Sequence, residues 1–139
     1  MLRKKSLIIG TVVAGALLPT AAFAAPAPTV KTFHVTAVGK PKGAYAKATI
    51  TISTKTNKVC TLVVTKGLVG ITAAHIHTGK VGTTGPVAVP LLISEFNKGK
   101  ESCVVAPPAI LKDILARPAG YYFNVHTAKY PAGAVRAQL

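Results

Sequence analysis

From Lys31 onward, apolar and polar residues alternate with a period of two, the mark of strands that bury one face. KTFHVTAV (31–38) sets Phe33 and Val35 on one side, and AKATITIST (46–54) sets Ala46, Ala48, Ile50 and Ile52 on one face. KVCTLVVT (58–65) places Cys60, Leu62 and Val64 together, after a turn at 55–58. GPVAVPLLI (85–93) reads as a further strand whose Pro90 suits a sheet edge or a bulge, because proline donates no ladder hydrogen bond. Near the end, Tyr121 to His126 forms a strand, YPAG (130–133) a turn with proline second and glycine fourth, and AVRAQL (134–139) a closing strand. The rhythm changes to helical spacing only in PPAILKDILARP (107–118). There Ile110, Leu111, Ile114 and Leu115 share a face, Pro108 suits the first turn and Pro118 forbids continuation. The pattern predicts an all-β fold, an antiparallel β-sandwich of Greek-key, immunoglobulin- or superoxide-dismutase-like form, with one short helix.

The first residues follow a different logic. Arg3, Lys4 and Lys5 precede an apolar run from Leu7 to Leu18, and Ala22-Phe23-Ala24 offers small residues around a cleavage point. Residues 1–24 therefore read as a secretory signal peptide, cut after Ala24, rather than an uncleaved anchor. With it gone, no transmembrane segment is expected, and the protein is placed outside the cell or in the cell envelope. The Pro- and Ala-rich stretch 25–30 reads as a disordered lead-in, and residues 31–139 as one domain.

Export changes how the cysteines are read. Cys60 and Cys103 are the only two, and in an oxidising compartment they are expected to form a disulfide. Charge narrows the partners: 17 Lys and Arg against three acids give a formal net charge of +14. That balance favours anionic envelope polymers or an extracellular protein as partner. The lysines are scattered and not interleaved with stacking aromatics, so no specific nucleic-acid site is expected.

Candidate chemistry centres on AAHIHTG (73–79) and NVHT (124–127). In a strand, His75 and His77 point to one face and Ile76 to the other; Tyr122, Asn124 and His126 likewise oppose Phe123 and Val125. If the two strands are neighbours, three imidazoles converge, a set suited to Zn(II) or Cu(II). The alternative is a purely structural or adhesive basic envelope protein, with the histidines in a structural hydrogen-bond network tying the strands together. His34, Asn124 and Arg136 are additional candidates for the site. The tyrosines 121, 122 and 130 read either as a recognition surface with Arg136 or as sheet packing. The 79–85 loop reads either as an anion cradle or as a plain connection. No catalytic residue is assigned: the three acids Glu95, Glu101 and Asp113 supply neither a convincing triad nor a carboxylate pair. A metal-dependent redox enzyme is the outlying alternative.

The segments AHIH, GPV (85–87), NVHT, PAG (131–133) and the ending RAQL resemble the CHRD domain, the chordin-type module of secreted proteins. The resemblance spans most of the chain after the leader. Ala134 stands where an acid is frequent and Ala137 where glycine is common. It implies an all-β extracellular binding or interaction module, carries no established reaction, and is compatible with the cysteine pair.

Overall fold

The computed structural model describes residues 27–139; the expected signal peptide and its cleavage point lie outside these residues. Eight strands form one antiparallel sheet: β1 (Val30–Gly39), β2 (Tyr45–Ser53), β3 (Lys58–Lys66), β4 (Ile71–Thr78), β5 (Val87–Leu91), β6 (Ser102–Val105), β7 (Tyr121–Thr127) and β8 (Val135–Gln138). Their spatial order is β5-β4-β7-β8-β1-β2-β3-β6. The two outer strands, β5 and β6, touch, so the sheet curls almost to closure. Pairing β7 with β4 and β6 with β3 brings strands distant in sequence side by side, as Greek-key connections do. Pro90 lies on the edge strand β5, where its missing N–H costs nothing.

The inward face follows the two-residue period. Ala46, Ala48, Ile50 and Ile52 of β2 are buried together with Ile76 of β4 and Phe123 and Val125 of β7. On β3 the expectation is corrected: the buried residues are Val59, Thr61 and Val63, while Cys60 and Leu62 are half-buried and Val64 is exposed. The reason is register. Val59 lies opposite Ile52, Thr61 opposite Ile50 and Val63 opposite Ala48, and cross-strand partners share a face. Cys60 therefore turns outward, directly opposite Cys103 on β6, and the two form a disulfide.

Helix α1 (Pro108–Ala116) buries Leu111 and Ile114 in the core. Its C-terminal turn closes with Arg117 N–H donating to Asp113 O, and Pro118 then starts a 3-10 turn leading into β7. β1 starts at Val30, one residue earlier than the expected domain boundary, and Thr29 is already tied to Thr54 by backbone and hydroxyl bonds.

Candidate functional site

β4 and β7 are direct neighbours, with Ala73 opposite His126, His75 opposite Asn124 and His77 opposite Tyr122. Since Ile76, Phe123 and Val125 fill the core, the three histidines and Asn124 stand on the outer face of the sheet. Two connections flank that face. The 79–86 segment links β4 to β5, and the turn at 130–133, closed by Gly133 N–H to Tyr130 O, precedes β8.

The imidazoles meet. His75 Nδ1 lies 3.0 Å from His126 Nε2, and His77 Nε2 lies 3.4 Å from the same atom. Zinc–imidazole bonds of about 2.0–2.1 Å at tetrahedral angles separate ligand nitrogens by about 3.4 Å, so these spacings suit a shared ion. The remaining nitrogens define the proton positions. His77 Nδ1 is 3.0 Å from Gly85 O and His126 Nδ1 is 2.9 Å from Pro131 O. A carbonyl oxygen only accepts, so each Nδ1 carries the proton and each Nε2 keeps its lone pair. His75 can donate to His126, but His77 and His126 still present lone pairs to each other. A proton on either Nε2, or a metal ion between them, would relieve that contact.

Burial, with like charge from His126 and His77, holds the His75 pKa below the ordinary imidazole range. Burial lowers His77 as well; its bond to Gly85 opposes this, and His126 and Arg136 reinforce it. Both rings therefore favour the neutral form, which is the ligand form.

Tyr122 stacks on His77 with ring centres 5.0 Å apart and planes 6° from parallel, and Arg136 places its guanidinium carbon 3.4 Å from the centre of the Tyr122 ring. Arg136 also donates to Thr83 O and, at 2.7 Å, to Lys80 O, stapling the 79–86 segment over the sheet. Gln138 donates at 2.8 Å to Gly79 O from the same side. In the 79–85 loop the Gly79, Thr83 and Gly85 N–H groups are spent on Gly120 O, Lys80 O and the Tyr122 hydroxyl, and the carbonyls of Gly79, Lys80, Thr83 and Gly85 face side-chain donors, so these groups form no anion cradle.

The additional candidates separate from the trio. His34 is exposed on β1 and pairs with Thr49 Oγ1 at 3.2 Å across to β2, away from the other histidines. Arg136 carries a guanidinium, which staples the loop and offers no lone pair to a metal. Asn124 stands beside His75 in register, but its amide lies against Gly133 and its buried Oδ1 has no partner among the described residues. Tyr121 is buried and bonds Asp113, whereas Tyr122, buried beneath Arg136, and the half-buried Tyr130 line a common cavity with that arginine. Asp113 accepts hydrogen bonds from the Tyr121 hydroxyl and Arg117 on the helix side, which accounts for its absence from the cluster. Among the described residues no carboxylate joins the three histidines.

Sequence reasoning did not find Gly85 and Pro131, which act through main-chain carbonyls. The only trace they leave is a Gly-Pro and a Pro-Ala-Gly at turns beside the two histidine strands.

The CHRD domain model matches residues 26–139. The chain belongs to the CHRD domain family. Within this CHRD domain, the AHIH and NVHT segments are the paired strands that carry the three imidazoles, and the PAG segment is the turn that orients His126. Ala134, at a position where the resemblance leads one to expect an acid, is buried, and its carbonyl receives the Lys40 N–H at 2.7 Å. Neither the curated proteins nor the solved structures contain a match to this chain. No helix among the described residues is long and apolar enough to cross a membrane.

Proposed function

We propose that this CHRD domain is exported and works outside the cell as a binding module that holds one transition-metal ion, Zn(II) or Cu(II), on His75, His77 and His126. The observation that carries the reading is the pair of Nε2 lone pairs on His77 and His126 at 3.4 Å, each fixed by an Nδ1–H bond to a backbone carbonyl. Second partners of that kind orient a ligating imidazole and raise its basicity. A purely structural network accounts for the His75–His126 contact, and for the His77–His126 contact only with one of those rings protonated, which the burial of His77 disfavours. Three imidazoles leave a coordination position for solvent or for a group from a partner. The disulfide and the amino-terminal leader pattern support export.

Elemental analysis of the purified, leader-cleaved protein, followed by titration of the chelated protein with Zn(II) and Cu(II), tests the reading. One equivalent should bind, and His77→Ala should lose it. No uptake at micromolar metal by the wild-type protein would remove the metal and leave the hydrogen-bond network.

A further inference from the structure

Beside the histidine trio, and sharing Tyr122, Pro131 and Arg136 with its surroundings, lies a cavity of about 490 Å³ that none of the three imidazoles lines. Tyr122 and Asn124, both buried, form its floor, and Thr84 and the turn 130–133 stand at its sides. Lys40, Lys129 and Arg136 line it, and no aspartate or glutamate does. Among the described residues the ion pairs are Glu95 with Lys98 and Asp113 with Arg117, so none of these three cations has an acidic partner. Arg136 is held in place by Tyr122 and by the carbonyls of Thr83 and Lys80, which leave its charge uncompensated. Positive charge gathered in a concave site concentrates the local potential and draws anions.

The rest of the wall sets the ligand's shape. Val38, Tyr130 and Pro131 supply an apolar side, suited to the face of a ring. Thr84, and the small surface left by the 5 % exposed Asn124, add polar groups to the lining that hydroxyls on the ring can meet. The volume falls in the range of small-molecule sites, about 300–1,000 Å³.

We propose that this cavity binds a hydroxylated ring carrying an oxyanion, the chemistry shared by uronic acids and sugar phosphates. The oxyanion lies among Lys40, Lys129 and Arg136, and the ring lies along Tyr130 and Pro131. The site does not depend on a metal, and its test is run with chelator present so that its outcome is independent of the histidine trio.

The experiment is calorimetric titration of the leader-cleaved protein with glucuronate, glucose 6-phosphate, glucose and inorganic phosphate, at about 0.15 M salt to screen diffuse attraction. Glucuronate or glucose 6-phosphate should bind saturably at one equivalent, and the comparison of the two tells carboxylate from phosphate. Glucose and inorganic phosphate should each bind more weakly than the better of the pair. The double variant Lys40→Glu/Lys129→Glu should weaken binding by at least about tenfold. Lys55→Glu/Lys112→Glu, with the same net charge but outside the cavity, should stay within about twofold. All four lysines are exposed, so both variants should retain the thermal unfolding transition of the parent. Equal losses in the two double variants, glucose or inorganic phosphate binding as tightly as the better of the two acids, or no binding of either acid at millimolar concentration would overturn the proposal.

Discussion

His77 and His126 point their Nε2 atoms at one another across 3.4 Å on neighbouring strands, while a backbone carbonyl holds the far nitrogen of each ring. A ligand that binds only the folded arrangement stabilises it by mass action, about 2.7 kcal/mol at a hundredfold excess over Kd. Thermal unfolding of the chelated protein should therefore shift upward with Zn(II) and return with chelator. His126→Ala should abolish the shift, since His126 Nε2 is the atom both other rings approach. An equal shift in that variant would place the ion elsewhere.

The same crowding predicts a pH dependence in the metal-free protein. His75 and His77 both have folded pKa values below the ordinary 6.5. In the unfolded chain they protonate first as pH falls, so below 6.5 the unfolded state binds more protons and stability declines with acidification. Above that value both are neutral in either state and their contribution is constant. Urea midpoints should fall from neutral pH toward the folded pKa values. The His75→Gln/His77→Gln variant should show a shallower decline, and a parallel decline would show that other groups are responsible.

Much of this arrangement was legible in the sequence because apolar residues sit between the polar ones. Ile76 separates His75 from His77, and Phe123 and Val125 alternate with Asn124 and His126, so strand parity alone places the histidines together once β4 and β7 pair. The helix was equally plain, as Leu111 and Ile114 lie on the face defined by the apolar spacing. β3 was not, because apolar residues occupy both of its parities and the inward set was chosen by Ile50 and Ile52 across the sheet. The carbonyls of Gly85 and Pro131 were invisible for a different reason: a main-chain acceptor has no side-chain signature. Arg136 needed the register that sets it opposite Asn124 and over Tyr122 before its role as a staple could be seen.

Gly133 and Asn124 are predicted to be a matched pair. Gly133 has φ of 123°, and a Cβ there would stand 2.5 Å from both amide heavy atoms at the end of Asn124. Gly133→Ala should therefore destabilise through both backbone strain and collision, by about 2–4 kcal/mol. Asn124→Ala in the same chain removes the collision but not the strain, so part of the loss should be recovered. A double-mutant cycle measured by urea denaturation gives the coupling. Simple additivity of the two substitutions would mean that the amide moves aside freely.

The disulfide makes a prediction about β6, the short strand at the edge of the sheet. Cys60 and Cys103 lie directly opposite in the β3–β6 pairing and are separated by 43 residues, a span that includes β4 and β5. Closing a loop of that length restricts the unfolded chain by about 4 kcal/mol on the chain-entropy account. β6 has four residues and pairs on one side only, so few other interactions hold it in register. The Cys60→Ala/Cys103→Ala variant should unfold at lower denaturant, by about 2–5 kcal/mol. In hydrogen exchange, β6 amides should lose protection before those of β2, because an edge strand released from its cross-link opens without disturbing the buried Ile50 and Ile52. An unchanged midpoint would mean that the bond forms between strands already held by their neighbours. Uniform loss of protection across β2 and β6 would instead show that the cross-link supports the whole sheet as one cooperative unit.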